Sequence, residues 1–287
     1  MILFERVAII GVGLLGASLA RALKERGLAG SIAGYGRNRD NLEKARKLGI
    51  IDTAASGLDE AVKDADLVVL CSPVGALASL TLEAASQAKP GCILTDVGSV
   101  KAPLIRDIEA RLPESVYFVG AHPIAGGEKS GLDASNAKLF EGANCIVTPS
   151  ATTNAHALDL VAQLWRAVGM NVVVMDMDEH DEIFGAVSHL PHIIAFALMN
   201  TVGEFRTQNH DQVTSFSGAG LRDITRIAAS DPVMWRDICL SNKKPILHLI
   251  DQFQDELGKL RAWIEAGEGP PLEEAIESSN KHRLNLV

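Results

Sequence analysis

Three short stretches of this chain carry residue types that do chemistry in α/β proteins. "AHPIAGGEKSG" (121–131) runs out of an apolar stretch into His122, a proline, paired glycines, and then Glu128 and Lys129. "DVGSVK" (96–101) sets Ser99 and Lys101 behind a second apolar stretch, and "CSPV" (71–74) does the same with Ser72 and Pro73. An apolar strand that stops in a glycine- or proline-bearing loop leaves its last polar side chains at a sheet edge, where open α/β sheets bind their ligands. A neutral imidazole held there takes or gives a proton near neutral pH. His122 is therefore the leading candidate base, with a satisfied strand-end histidine as the bland alternative.

Nucleotide chemistry is written at the start of the chain. "GVGLLG" places Gly11, Gly13 and Gly16 in the spacing G-x-G-x-x-G between a predicted strand and a predicted helix, with Leu15 in the same turn. The first glycine permits the tight turn, the second lets backbone approach a pyrophosphate, and the third lets helix and strand pack closely. Where an NAD site would carry an acid for the ribose 2′-hydroxyl, the second strand ends "GRNR" with Arg37 and Asn38. A guanidinium suits a 2′-phosphate, so NADP is favoured over NAD. Asp40, followed three residues on by Glu43, is expected to cap the next helix.

These residues need a scaffold. Up to about residue 175, β-rich runs such as "RVAIIGVG", "ADLVVLCS", "GCILTDVG", "NCIVTPS" and "MNVVVMD" alternate with helical spacing. Continuous apolar strands predict a parallel sheet covered on both faces, a doubly wound α/β domain over 1–175. From 176 to 287 the pattern is helical. "DEIFGAVSHLPHIIAFALMNTVGEF" is apolar on nearly every face and is expected to bury itself against other helices or a second subunit. Asp231 with Pro232 opens one helix and Gly267 stops another, while the tail reads as turn-rich with a short helix. Within the helical part "SHLPH" supplies Ser188, His189 and His192, and "GLRDITRIAASDPVMW" supplies Asp223, Arg226 and Trp235.

Composition narrows the function classes. At 287 residues, 47% hydrophobic and 22% charged, with a formal charge of −9, the chain has an ordinary globular balance and no basic footprint for nucleic acid or anionic membrane. No stretch reads as a bilayer span and the N-terminus reads directly as a strand, so a cytoplasmic protein is the expectation. Four scattered cysteines read as free thiols. No metal is expected, although His180, Asp181 and Glu182 lie upstream of His189 and His192.

Taken in series, "GVGLLGASLA", "CSPV", "DVGSVK", "HPIAGGEKSG", "SHLPHIIAFAL" and "RDITRIAASDPVMWRDI" resemble the prephenate and arogenate dehydrogenases of tyrosine biosynthesis over nearly the whole chain. The resemblance implies a Rossmann domain followed by an all-helical dimerisation domain, and an NAD(P)-dependent oxidative decarboxylation of prephenate. It implies His122 as the group accepting the ring-hydroxyl proton, with Ser99 as its hydrogen-bonding neighbour. Arg226 matches the substrate arginine, with Asp223 three residues before it on the same expected helix face. Ser188 and His192 match substrate contacts, and Glu128 and Trp235 match the pocket edge. Gly127 stands where a threonine is frequent in the family. No chorismate-mutase-like extension is visible, so a monofunctional enzyme is expected. Arogenate as substrate, a broad cyclohexadienyl dehydrogenase, a β-hydroxyacid or imine-reducing relative relying on a lysine, and a non-catalytic NADP-binding redox sensor stay open.

Overall fold

A computed structural model describes residues 2–127, 131–210 and 212–286. The first half alternates β1 (Phe4–Ile10), α1 (Leu14–Glu25), β2 (Ala29–Tyr35), α2 (Arg39–Lys47), β3 (Thr53–Ala54), α3 (Leu58–Val62) and β4 (Leu67–Leu70). It continues through α4 (Val74–Gln87), β5 (Ile93–Asp96), α5 (Ala102–Glu109), β6 (Tyr117–Pro123), β7 (Asn144–Thr148), α6 (Ala155–Ala167) and β8 (Asn171–Val174). The sheet order is β3-β2-β1-β4-β5-β6-β7-β8. Strands such as β4 and β5 are buried along their whole length because helices cover both faces. One face packs Leu19, Leu23, Leu42, Val161 and Trp165 from α1, α2 and α6. The other packs Ala61, Leu77, Ala84, Leu104 and Ile108 from α3, α4 and α5.

The strand order reverses between β1 and β4, which opens a crevice at the carboxyl ends of the strands. The glycine loop after β1 and the loops after β4, β5 and β6 all empty there. The expected wholly parallel sheet needs one correction, because β7 runs antiparallel to β6. A parallel return needs a long crossover, usually a helix. Among the described residues between β6 and β7 the only helical element is the 3₁₀ turn Leu132–Ala134. Helix α6 then supplies the crossover that makes β8 parallel to β7.

The second half is α7 (Met177–Phe184), α8 (Leu190–Glu204), α9 (Ala219–Thr225), α10 (Pro232–Ser241), α11 (Lys243–Ala266) and α12 (Gly269–Leu284). Asp176 caps α7 by accepting from the amides of Asp178 and Glu179 at 2.8 and 3.2 Å. Asp231 accepts from Met234 N at 2.7 Å at the head of α10, and Gly267 closes α11 in the left-handed region, both as the sequence predicts. The tail departs from its reading: α12 is a full helix, tolerating Pro270 and Pro271 because they sit in its first turn.

Helices α7 and α8 are joined by a π-helical turn, Gly185–His189, in which Leu190 N–H donates to Gly185 O. Pro191, just past this turn, has no N–H to continue the ordinary ladder, and the wider turn accommodates it. The resulting run Met177–Glu204 is 28 residues long with a mean hydropathy of 1.4 in its most apolar window, enough to cross a bilayer by length and composition. That corrects the expectation that no stretch approaches such a length. Only Ala195 of α8 is buried within the single chain.

Candidate active site

The glycine loop has the shape that a dinucleotide needs. Gly11 sits at φ +103°, and a Cβ there would lie 2.4 Å from Cys71 O. A Cβ on Gly16 would lie 2.2 Å from Gly11 O, so helix α1 can approach the loop only through a glycine. A Cβ on Gly13 would meet nothing within 4 Å, so its side of the loop opens into free space. Asn41 braces the turn from α2 by donating Nδ2–H to Val12 O at 2.8 Å. These features fit a pyrophosphate against the N-terminus of α1. Ser72 and Pro73 flank the loop from the end of β4, where Ser72 Oγ reaches Ile10 O at 3.5 Å.

At the end of β2 an open groove of about 610 Å³ is lined by Arg37, Asn38, Arg39 and Asp40. Asn38, not Asp40, caps α2, accepting from Asn41 N at 3.0 Å. The helix starts two residues earlier than the Asp40 reading, and Glu43 bonds Arg46 instead. Arg39 is committed to Ala55 O at 2.6 Å. Arg37 is exposed and has no hydrogen bond or ion pair among the described residues.

The ends of β5 and β6 are tied by a buried ion pair. Lys101, fully buried at the head of α5, bonds Asp96 through Nζ and also donates to Ala121 O at 2.9 Å. Asp96 in turn accepts from Ala121 N at 3.1 Å and Gly98 N at 2.8 Å. A buried ammonium is tolerable only when paired with an opposite charge and hydrogen-bonded, as here by Asp96 and Ala121 O. Lys101 thereby fastens the residue immediately before His122.

His122 lies at the end of β6, nine-tenths buried. Its Nδ1 stands 2.8 Å from His180 Nε2, and His180 Nδ1 stands 2.8 Å from Asp181 Oδ1. Asp181 also accepts from Lys101 N at 2.8 Å and Ala102 N at 2.9 Å, so one carboxylate caps α5 and anchors α7 to the strand ends. Burial holds His122 well below the ordinary imidazole range, and the neighbouring His180, Lys101 and His189 act in the same direction. Burial also lowers His180, opposed in part by its bond to Asp181. Both rings are neutral near pH 7.

The helical side of the crevice is built around Trp235. It packs with Val100 of the β5 loop, Val74 and Ile238, and the His192 ring stacks on it at 3.7 Å. His192 Nδ1–H donates to Ser188 O at 2.9 Å. Arg226 opens a short 3₁₀ turn, Arg226–Ala229, that packs on α8, and its charge bears on His192. Helix α9 ends at Thr225, so Asp223 and Arg226 do not share one continuous α-helix as expected. Ser99 stands half-buried in the loop below. Among the described residues the bonding partner of His122 is His180, where the resemblance puts Ser99. Glu128 lies outside the described residues.

Residues 19–174 match the model of the prephenate dehydrogenase nucleotide-binding domain, and residues 176–278 match that of the prephenate dehydrogenase dimerisation domain. The chain belongs to the prephenate dehydrogenase family. It is 37% identical to a cyclohexadienyl dehydrogenase of Zymomonas mobilis over 286 residues, covering 100% of this chain and 97% of the relative. A prephenate dehydrogenase of Bacillus subtilis is 35% identical over 98% of this chain and 76% of its own length. The fold superposes with a TM-score of 0.92 on prephenate dehydrogenase from Aquifex aeolicus in complex with hydroxyphenyl propionate and NAD+, at 38% identity and covering 99% and 98% of the two chains.

Within this family member, sequence reasoning missed the parts that meet only in three dimensions. His180 and Asp181 look like stray metal ligands in the sequence, yet they are spent on His122 and on the head of α5. Asn242 was not singled out at all, and it donates to Asp181 O at 2.8 Å and to His189 Nδ1 at 2.9 Å.

His189 is buried, and burial lowers its pKa from 6.5 to about 4. Between those values the unfolded chain binds the proton and the folded one does not. Stability contributed by neutral His189 is therefore complete above pH 6.5 and is lost as pH falls to about 4. At about 1.4 kcal/mol per unit this is on the order of 3 kcal/mol, with His122 and His180 acting in the same sense. Urea midpoints measured from pH 7 to 4 should fall steadily, and less steeply in His189→Gln. Parallel profiles for the two proteins would exclude His189 as a contributor.

Proposed function

We propose that this chain oxidatively decarboxylates prephenate to 4-hydroxyphenylpyruvate with NAD(P), arogenate being the nearest alternative substrate. The observation that carries the reading is His122, neutral and nearly buried at the end of β6, on the same sheet edge as the glycine loop, in a chain that matches both family domains. A dinucleotide held at the Gly11–Gly16 loop would supply the oxidant, its nicotinamide being the acceptor for the hydride of the ring carbon that bears the hydroxyl. His122 takes the hydroxyl proton as the carbonyl forms. The ring carboxylate then leaves as CO2, its bonding electrons complete the aromatic ring, and the former carbonyl oxygen takes the proton back from His122 to become the phenol hydroxyl.

The substrate is a dianion, and the crevice offers Arg226 and His192 on its helical side. Arg226 is assigned to a carboxylate, with Ser188, Ser99, Glu128 and Trp235 as further contacts and Asp223 as a neighbour of the arginine. Gly11, Gly13, Leu15, Gly16, Ser72 and Pro73 are assigned to the dinucleotide. Arg37 and Asn38 are assigned to its ribose end, and the uncommitted Arg37 favours the 2′-phosphate of NADP.

The apolar α8 surface and the exposed Leu257 and Ile264 of α11 are assigned to a homodimer interface. Light scattering should give twice the chain mass, and a monomer at micromolar concentration would oppose the assignment.

Nicotinamide reduction in a two-by-two assay tests the chemistry: prephenate or arogenate, each with NADP or NAD. Prephenate with NADP is expected to be the fastest pair. Preference for NAD removes the role given to Arg37, and silence in all four, with nucleotide bound, returns the chain to the sensor reading.

A further inference from the structure

His122 reaches out of the catalytic crevice along a chain of three side chains, and the hydrogens in that chain can be placed by elimination. A carboxylate oxygen carries no hydrogen to give, so the 2.8 Å contact between His180 Nδ1 and Asp181 Oδ1 puts the hydrogen on His180 Nδ1. A neutral His180 then has a bare Nε2. The 2.8 Å contact between that atom and His122 Nδ1 puts the next hydrogen on His122 Nδ1. The nitrogen of His122 left with a free lone pair is Nε2.

We propose that His180 and Asp181 are positioning residues that fix His122 as its Nδ1–H tautomer, so that Nε2 is permanently presented as the proton acceptor. The proposal deepens the reading of His122 as the base and rests on it. The step balances simply. The substrate O–H bond breaks, an Nε2–H bond forms on His122, and the positive charge of the resulting imidazolium is shared through Nδ1–H with His180 Nε2 and so with the Asp181 carboxylate. No net proton has to leave His122 during the step.

The surroundings support a fixed array. Asp181 is held by two backbone amides at the head of α5, and its own carbonyl accepts from Asn242. Phe184 packs against both imidazoles, at ring separations of 4.8 Å from His122 and 4.5 Å from His180. The titratable groups facing the pair are Lys101 from the head of α5, Asp96 from β5, Asp181 from α7 and His189 from the π turn. Burial and the single cationic neighbour Lys101 oppose a positive charge on His180 against the pull of Asp181 and Asp96, which keeps His180 an acceptor.

Two variants and one spectrum test this. His180→Leu removes the acceptor and should lower kcat roughly 10- to 100-fold, below the full effect of a general base, with KM and dinucleotide Kd within about twofold. His180→Gln keeps an amide oxygen able to accept from Nδ1–H and should recover most of that loss. Equal losses in the two variants, or an unchanged kcat in His180→Leu, would overturn the proposal. Independently of any turnover, histidine ¹⁵N spectra of the wild-type protein at pH 7.5 should show His122 protonated at Nδ1 and bare at Nε2. The reverse tautomer overturns the proposal, whereas the expected tautomer in a protein that turns over no substrate would indict the functional reading and leave the array standing.

Discussion

His122→Asn lowers kcat by about 10²–10⁴-fold, the range that a positioned general base supplies, and leaves dinucleotide Kd within about twofold. Asparagine keeps a donor near the Nδ1 position and so preserves a bond toward His180, but it has no basic nitrogen to receive the hydroxyl proton. Hydride loss must then build positive charge on the carbinol carbon with the proton still in place. The nucleotide loop is fastened elsewhere, by Asn41 and by the contact of Gly16 with Gly11, so it does not depend on this ring. Because burial and its neighbours hold His122 below the usual imidazole range, the wild-type rate should stay level as pH falls through 6.5 and drop only at more acid values. The sign follows from the role: a base works when unprotonated, and a depressed pKa extends that state downward in pH. A wild-type limb centred at or above 6.5, or a variant with full kcat, would remove His122 from the proton transfer.

What could be read before the fold was known has a common physical character. The Gly11-x-Gly13-x-x-Gly16 loop, the strand ending at His122, and the helix signals at Asp231 and Gly267 are local: each needs only neighbours within a turn or two. Such patterns are legible because backbone sterics and periodicity act over short separations. The features that escaped depend on packing between distant elements. His122 meets His180 across 58 positions, and Asp181 meets the head of α5 across 80. Nothing in the spacing of "HDE" distinguishes a ligand set from a capping carboxylate with a hydrogen-bonded ring. The antiparallel β7 escaped for the same reason, since strand composition does not reveal direction. Asn38 displaced Asp40 as the cap of α2 because both types serve at a helix start and the choice lies in where the β2 strand lets go. The apolar run through α8 predicts a cover, and within a single chain only Ala195 of that helix finds one.

The glycine loop separates two ways of losing a cofactor, and two single methyl groups should show both. On Gly16 a Cβ would stand 2.2 Å from Gly11 O and 2.9 Å from Ile9 Cγ2, so Gly16→Ala must push α1 off β1 before any ligand arrives. Overpacking of this kind costs about 1–3 kcal/mol, and at roughly 2–4 °C per kcal/mol for a domain of this size the free protein should melt several degrees lower. On Gly13 a Cβ meets nothing within 4 Å, so Gly13→Ala should leave the Tm of the free protein within about 1 °C. Its methyl group nevertheless occupies the open side of the loop where backbone must approach a pyrophosphate. Dinucleotide Kd should rise about 100-fold, close to 2.7 kcal/mol, and prephenate turnover should fall in parallel at fixed cofactor concentration. Calorimetry of the two apo variants and titration with NADP and NAD decide the matter. If Gly13→Ala binds like wild type, the dinucleotide does not lie across this loop. If Gly16→Ala melts like wild type, the close approach of α1 to Gly11 is not what holds the loop in shape.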